Sequence, residues 1–382
     1  MRRLSMLKRF EVRNYKNFKD SIVVDFSKTG GYKYNLDCVS GNLISKMLIY
    51  GRNASGKTNL GRAIMDINYE IFRGMSIFDN STLNADSNDL YNSYSYNFIF
   101  DEDEIIYNYS RNGYGKLVSE ELHLNGKKVF ECNFENDKFD FENLKAINAD
   151  TVSIERYMQA GNNPNDETGD LGLPFLRWLI SNAAFQKDSV MLKLYSYIEG
   201  MSFLSVNGSF IFRSRRIYDS FEDEEELMKF EKFLNDMGIE CKLVLKKLPD
   251  GQYKLYFKHE RLVPFLENAS SGTLALMNFY LRFIQNIRSR SFIYLDEFDA
   301  FYHYEMADNL VKYFKANYPD SQIIMTTHNT NLMTNRLMRP DCLFILSRWG
   351  KLTALCYATE RELREGHNLE KMYISGEFEK YE

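Results

Sequence analysis

One loop of this sequence has the residue types and spacing of a phosphate-binding site. Residues 51–58 read G-x-x-x-x-G-K-T; the apolar strand Met47–Tyr50 precedes them, and a helix from Asn59 to about Gly74 is predicted to follow. The two glycines allow backbone torsions that other residues resist, so successive N–H groups can turn toward an anion. The start of the helix adds a partial positive charge. The loop therefore predicts a site for a nucleoside triphosphate.

Each residue of this phosphate loop has a predicted contact or role. The Lys57 ammonium would reach the β- and γ-phosphates, and the Thr58 hydroxyl would ligate Mg²⁺. The alternative is a chance loop between a strand and a helix, which the joint presence of Lys57 and Thr58 in the required context disfavours. The predicted ATP-contacting set is Gly51, Arg52, Asn53, Ala54, Ser55, Gly56, Lys57, Thr58 and Asn59.

Three further polar clusters follow in the last third of the chain. The first cluster, residues 268–273 (Asn-Ala-Ser-Ser-Gly-Thr), precedes an apolar helix, Leu274–Ile287. The second is Asp296 and Glu297, at the end of the apolar strand that begins at Phe292. The third is His328, at the end of the apolar run 322–327. Taken singly, these clusters have ordinary explanations as a helix cap, a solvated turn and a structural histidine. Their order and spacing behind a phosphate loop favour a single active site.

The chemistry of phosphoryl transfer to water explains why these residue types occur together. That reaction needs positioning and charge neutralisation more than covalent help. Asp296 would hold Mg²⁺ through water, Glu297 would orient or deprotonate the attacking water, and His328 would sense the γ-phosphate. The Ser270–Thr273 loop at a helix N-terminus would be a second anion cradle. The predicted catalytic residues are Lys57, Glu297 and His328, and the predicted metal ligands are Thr58 and Asp296.

The elements that must position these residues are predicted from hydrophobic periodicity. An opening hairpin, 7–14 with 22–26, leads to the phosphate loop, with Phe10 and Val12 directed inward. Four alternating strands follow, at 93–100, 105–110, 117–124 and 127–134, and predict an antiparallel β lobe. The acidic run 101–104 between the first two is interpreted as a solvated hairpin tip rather than a metal site.

The middle of the chain has a helical pattern. Helices are predicted from Leu173, over Ser189–Ile198 and over Phe221–Met237, the last with acidic residues at its start, where the helix dipole favours them. Strands at 240–246 and 252–259 lead to the second set of site residues. The predicted division is 1–145 for the first part of the ATPase core with its lobe, 146–238 for a helical insertion, and 239–382 for the rest of the core.

Composition excludes several classes of protein. Hydrophobic residues make up 44% and charged residues 26% of the 382, which suits a folded domain with a sizeable core. The net charge of −5 lacks the basic excess of a dedicated DNA-binding protein. The five cysteines lie far apart without C-x-x-C, which predicts neither a zinc site nor a disulfide framework. No apolar run reaches the roughly 18 residues of a membrane span and no signal peptide is evident, so a cytoplasmic protein is expected.

Together these residues resemble the ABC-type ATPases of the SMC/RecF/OLD branch. Residues 51–58 resemble Walker A, 269–273 the signature loop, 292–297 Walker B, Asp299 the D-loop position and His328 the switch histidine. The resemblance implies an α/β fold, an ABC-type P-loop NTPase core whose mixed sheet is flanked by helices, with ATP and Mg²⁺ as cofactors. Two departures are Ser271, where transporter ATPases have glycine, and the Q-loop position, for which Gln159 is the candidate.

Both ends of the chain carry the resemblance, and the middle does not match. The opening pattern Phe10-x-Val12-x-Asn14-Tyr15-x-x-Phe18 is similar to the first strand of that branch, and the tail 368–376 resembles small defence-associated members, the RloA-like and AriA-like ATPases. In this family the signature loop completes the site of the opposite subunit. The resemblance therefore implies a homodimer or higher homo-oligomer in which Ser270, Ser271 and Gly272 contact the γ-phosphate held at the partner's Lys57.

The resemblance leaves several functions to weigh. The leading hypothesis is an ATPase that senses or scaffolds in bacterial antiphage defence with a separately encoded effector, for example a nuclease. OLD proteins carry a C-terminal Toprim nuclease, and this chain continues only a short way past Gly376. The alternative is a RecF-like DNA-binding repair clamp. The compact basic cluster that would serve it is 213–216 (Arg-Ser-Arg-Arg), which is interpreted rather as an ordinary solvated loop. A transporter ATPase is disfavoured by the signature loop, and a small-molecule kinase by Glu297.

Overall fold

The computed structural model describes residues 4–72, 82–161, 172–205, 218–285 and 290–382. In these ranges no helix combines the length and apolarity that crossing a bilayer requires. The strands are β1 (Ser5–Arg13), β2 (Ile22–Asp25), β3 (Val39–Ser40), β4 (Leu43–Ile44), β5 (Lys46–Tyr50), β6 (Tyr91–Phe100), β7 (Asp103–Asn112), β8 (Leu117–Leu124), β9 (Lys127–Asn133), β10 (Lys138–Asp140), β11 (Met201–Ser205), β12 (Leu243–Lys247), β13 (Tyr253–Lys258), β14 (Leu262–Pro264), β15 (Phe292–Asp296), β16 (Gln322–Thr327), β17 (Leu343–Leu346) and β18 (Leu352–Ala354). The helices are α1 (Lys57–Phe72), α2 (Ile154–Gly161), α3 (Phe175–Asn182), α4 (Val190–Glu199), α5 (Glu224–Asp236), α6 (Phe265–Asn268), α7 (Ser271–Arg282), α8 (Tyr304–Asn317) and α9 (Leu369–Ile374).

A six-stranded sheet, here called the core sheet, has the order β11-β15-β16-β5-β17-β18. The first five strands are parallel, and β18 returns antiparallel to β17. Every residue of β5, β15 and β16 is buried, which is why the sequence of each strand contains a continuous apolar run. Helix α1 packs on β11 and β15. A Cβ on Gly61 would come within 2.5 Å of the Tyr294 ring, so glycine permits this close approach.

The β lobe is a seven-stranded antiparallel sheet with the order β10-β9-β8-β7-β6-β1-β2. Phe10 and Val12 are buried, as the alternation predicted. On β6 the inward positions carry Tyr94, Tyr96 and Phe98. The Tyr96 ring stacks on Phe98, and the Tyr94 ring stacks on Tyr109 of β7. The opening hairpin and the lobe form one sheet, because β1 pairs with β6 along most of its length. The sequence pattern predicted the strands but not this joining.

Two predictions for the middle of the chain need correction. The segment 146–238 was expected to be a helical insertion, but it contains β11, which pairs in parallel with β15 from Met201↔Phe292 to Ser205↔Asp296 and forms an edge of the core sheet. Five residues with weak alternation carry little local signal, and the pairing with a distant strand decides their conformation. The second correction concerns Gln159, the candidate for the Q-loop position, which lies exposed on α2. The buried Tyr157 of this helix packs against Phe175 of α3, so α2 lies beside the lobe rather than at the phosphate loop. Residues 213–216 lie outside the described residues.

Buried ionisable groups connect the lobe to the helices around it. Arg111 on β7 forms ion pairs with Asp66, at 3.3 Å, and with Glu70, both on α1. Glu120 on β8 is fully buried at the start of α3 and accepts hydrogen bonds from the N–H groups of Phe175 and Leu176 and from the Tyr107 hydroxyl. Burial raises the pKa of Glu120 from 4.5 to about 7, although these hydrogen bonds oppose the shift.

Candidate functional site

The predicted site residues follow neighbouring parallel strands at one edge of the core sheet. The register pairs Thr327 of β16 with Tyr50 of β5, and Leu295 of β15 with Met325. The phosphate loop therefore begins where β5 ends, Asp296 ends β15, and His328 follows β16. Because the carboxyl ends of parallel strands meet at the same edge, residues far apart in sequence converge there, as is usual for ligand sites of α/β sheets.

Lys57 is the first residue of helix α1, and its side chain contacts the start of the phosphate loop. Its side chain is buried, and its ammonium donates to the carbonyl oxygens of Gly51 at 2.7 Å and Arg52 at 3.2 Å. Burial lowers the pKa of Lys57, while the nearby carboxylates of Glu297 and Asp296 act in the opposite direction. Within the described ranges, the hydrogen-bond acceptors of the ammonium are these two neutral carbonyl oxygens, which leaves its charge available to a phosphate.

The rest of the loop is arranged around this lysine. Arg52, Asn53 and Ala54 are exposed at the tip, and Ala54 has a left-handed φ of +64°. The Arg52 guanidinium donates to the Glu382 carboxylate, with an Nε–Oε2 distance of 2.9 Å. Ser55 is buried, and its hydroxyl has no hydrogen-bond partner within the described part of the chain. These features leave the tip of the loop open to a ligand.

Thr58 and Asp296 bring a hydroxyl and a carboxylate together. The Thr58 Oγ1 donates to Asp296 Oδ2 at 2.7 Å, and Thr326 Oγ1 donates to Asp296 Oδ1 at 3.1 Å. Burial raises the pKa of Asp296, and the two hydroxyl hydrogen bonds oppose this shift. Oxygen donors of this kind are the ligands that Mg²⁺ takes in nucleotide sites. The donor set therefore fits a magnesium ion held between Thr58 and Asp296.

Glu297 follows Asp296 in an uncommon backbone conformation. Its φ is +49°, in the left-handed region that residues other than glycine rarely adopt. Its N–H donates to Thr326 Oγ1 at 2.8 Å, and its side chain is partly exposed. Strained backbone of this type often occurs at active sites. The turn directs the chain out of β15 immediately after the buried carboxylate of Asp296.

The D-loop position and the histidine lie next to each other after β15 and β16. Asp299 is buried, and its Oδ2 accepts a hydrogen bond from Thr327 Oγ1 at 2.7 Å. Burial raises the pKa of Asp299, and the Thr327 hydrogen bond opposes the shift. His328 is exposed at the end of β16, where a bound nucleotide or a second chain could reach it.

The signature loop stands at the N-terminus of helix α7. Ser270 caps helix α7, and its Oγ accepts the Thr273 N–H at 3.1 Å, so the helix-cap interpretation is correct locally. Ser270 and Ser271 are exposed. A Cβ placed on Gly272 would lie within 4 Å of Met306 and of the Phe301 carbonyl. The loop therefore lies beside the segment that follows Walker B and presents its serines outward.

Three polar residues that no motif indicated support the site. Thr326 contacts both Asp296 and Glu297, and the Tyr294 hydroxyl donates to the Lys57 carbonyl at 2.5 Å. Asn17, in the turn between β1 and β2, contacts the phosphate loop itself. A usable signal existed only for Thr326, which is a polar residue near the end of a fully buried strand. The other two contacts depend on tertiary packing alone.

One family model matches most of this chain. The family described as "AAA domain, putative AbiEii toxin, Type IV TA system" matches residues 46–334, which include the phosphate loop, the signature loop, Walker B and the histidine. No curated protein matches this chain.

Several solved structures of SMC heads are similar to the chain. "Crystal structure of the SmcHead bound to the C-winged helix domain of ScpA" aligns with a TM-score of 0.51 and 17% identity, over 91% of this chain and 97% of that one. "SMC head domain from Thermotoga maritima" aligns with a TM-score of 0.46 and 17% identity, over 91% and 98% of the two chains. The first of these similarities shows that the fold is that of an ABC-type P-loop NTPase.

Proposed function

Because this chain belongs to the family of AAA domains described as a putative AbiEii toxin of a type IV TA system, we propose that it is an ATPase that works through composite ATP sites in antiphage defence. The fold is one that binds ATP. The observation that carries the proposal is the convergence of Lys57, Thr58, Asp296, Glu297 and His328 at one edge of the core sheet, joined by the 2.7 Å contact of Thr58 with Asp296.

In this proposal each residue at the edge has one task. Lys57 binds the β- and γ-phosphates, and the hydroxyl of Thr58 and the carboxylate of Asp296 hold Mg²⁺. The metal supplies charge neutralisation on the phosphate oxygens. Glu297 orients the attacking water and accepts its proton, and His328 contacts the γ-phosphate. These are the group types that hydrolysis of a phosphoanhydride requires.

We also assign the exposed signature loop to a second copy of the chain. Ser270 and Ser271 face outward at the N-terminus of α7, where the helix dipole favours an anion. In a dimer this loop would complete the site at the partner's Lys57, so that bound ATP holds the two subunits together. Nucleotide would then favour one assembly state over another, which is the coupling that a switch needs.

The family description, which names a putative toxin of a type IV TA system, supports the defence part of the proposal. In that role the ATP-bound assembly holds or releases an effector that performs the damaging reaction. The alternative of a RecF-like DNA clamp rests on residues 213–216, and the described part of the chain adds no observation in its favour.

Calorimetry with Mg-ATP and a steady-state phosphate-release assay test the ATPase function. Wild type is expected to bind ATP and release phosphate, whereas Lys57→Ala is expected to lose detectable binding because the buried ammonium is removed. Lys312→Ala is the control, since Lys312 pairs with Asp308 on the exposed side of α8. Retained ATP affinity in Lys57→Ala would overturn the assignment of the phosphate loop.

A further inference from the structure

A turn outside the ATP-binding motif packs on the phosphate loop. Between β1 and β2, Tyr15 and Phe18 exchange two backbone hydrogen bonds, of 2.8 and 2.7 Å, and so close a tight turn with Asn17 at its tip. Asn14, just before the turn, is fully buried with a left-handed φ of +53°, and its Nδ2 donates to the carbonyl of Asp89 at 2.9 Å. The same Nδ2 also donates to the carbonyl of Tyr91, the first residue of β6, at 2.8 Å, so hydrogen bonds tie the turn that carries Asn17 to the lobe.

Asn17 connects the phosphate loop to the first turn of helix α1. Its Nδ2 donates to the backbone carbonyl of Ser55 at 3.2 Å, and its Oδ1 accepts from Asn59 Nδ2 at 2.8 Å. One side chain from outside the loop thus contacts a residue on each side of Gly56-Lys57-Thr58. Neither contact belongs to the G-x-x-x-x-G-K-T pattern.

The contact with Ser55 sets the direction of a loop amide. In a trans peptide the C=O and the following N–H point in opposite directions. When Asn17 holds the Ser55 carbonyl, the N–H of Gly56 points away from Asn17. Gly56 has a φ of +102°, and a Cβ at this position would lie 2.2 Å from Asn17 Nδ2. Glycine is thus required both by the torsion and by the packing of Asn17.

From this geometry we infer that Asn17 is a positioning residue for the bound triphosphate. It orients the Gly56 N–H toward a phosphate oxygen by holding the opposite end of the same peptide, and it ties the loop to α1 through Asn59. Its amide acts through the backbone and does not itself contact the nucleotide. This inference rests on the proposed function, because it assigns Asn17 to the same ATP site.

The test compares two variants of Asn17 in ATP binding and turnover. Asn17→Leu keeps the approximate size of the side chain but removes both contacts, and Asn17→Ser is too short to make both. Each is expected to raise the Kd for Mg-ATP about tenfold and the KM by a similar factor, with kcat within about twofold of wild type.

The matched control is Asn143→Leu. Asn143 also donates one side-chain hydrogen bond to a backbone carbonyl, that of Lys128 at 2.9 Å, but in the lobe. It is expected to leave ATP affinity unchanged. A Kd within twofold of wild type for folded Asn17→Leu or Asn17→Ser would overturn the inference, as would a loss confined to kcat. If wild type itself bound no ATP, the proposed function would be refuted and this inference with it.

Discussion

Replacing Thr326 by valine tests whether one hydroxyl holds the Asp296 carboxylate and the Glu297 backbone in place. Thr326 is fully buried, and its Oγ1 donates to Asp296 Oδ1 at 3.1 Å and accepts the Glu297 N–H at 2.8 Å. Valine has nearly the same shape, so Thr326→Val removes both hydrogen bonds without opening a cavity. The effect therefore reports the hydroxyl alone.

The size of the effect follows from these two contacts. A hydrogen bond to a charged group such as Asp296 contributes about 1.5–3 kcal/mol, and a buried N–H left without an acceptor costs about 1–3 kcal/mol. Local relaxation recovers part of this, so we expect a loss of about 2–3 kcal/mol in the free energy of unfolding. For a chain of 382 residues this corresponds to a fall in Tm of roughly 2–4 °C.

The same change is expected to reduce catalysis more than ATP binding. The Thr326 hydroxyl holds the Glu297 N–H while φ of that residue is +49°, so its loss frees the turn that orients the glutamate. Misplacement of a catalytic group by even a fraction of an ångström is costly, and we expect kcat to fall about ten- to hundredfold with KM changed less than threefold. Steady-state phosphate release over a range of ATP concentrations separates the two constants.

Thr353→Val provides the matched control. Thr353 is a buried threonine on β18 of the same sheet, and within the described residues its hydroxyl has no hydrogen-bond partner. Removing it is expected to leave both Tm and kcat unchanged or slightly raised. If Thr326→Val behaved like Thr353→Val in thermal melting and in turnover, the argument that this hydroxyl supports the site would be wrong.

Two further predictions concern the lobe. The pKa of Glu120 is about 7 in the folded chain against 4.5 ordinarily, so the folded state binds more protons between these values and its stability falls as pH rises through this window. The free energy of unfolding of Glu120→Gln should therefore rise relative to that of wild type by about 3 kcal/mol between pH 4.5 and 8. A difference in urea titrations that does not depend on pH would contradict this. Arg111→Met leaves the buried carboxylates of Asp66 and Glu70 without their cation and should lower the free energy of unfolding by about 3–5 kcal/mol in the same assay. Arg364→Met removes an exposed ion pair and should lower it by less than about 1 kcal/mol. Equal losses in the two variants would refute the role of burial.

The nucleotide-binding half of the fold could be predicted from the sequence because its signals are local. The strands Phe292–Asp296 and Gln322–Thr327 are buried on both faces, so each appears as an unbroken apolar run that ends in polar residues. The fold class, an ABC-type P-loop NTPase, is confirmed by the structural similarity to an SMC head. The loop Gly51–Thr58 follows its strand and precedes its helix as the motif required.

The remainder could not be predicted because it depends on pairing between distant segments. Strand β11 has no strong alternation of its own and becomes a strand by pairing with β15, which lies some ninety positions later in the chain. The contacts of Asn17 with Ser55 and Asn59 likewise depend on the position of β1 in the lobe sheet, because that position brings the turn to the phosphate loop. The predicted role of Ser270 involves a second chain, so it stays a prediction.

The most direct test of composite ATP sites is the mass of Glu297→Gln in solution with and without Mg-ATP, measured by light scattering after gel filtration. This variant should bind ATP without hydrolysing it, and its mass should double when ATP is added. Adding Ser270→Arg should abolish the doubling, because the exposed signature loop could no longer approach the partner's nucleotide, whereas Ser375→Arg should not. An ATP-bound Glu297→Gln protein that kept its nucleotide-free mass would contradict the account.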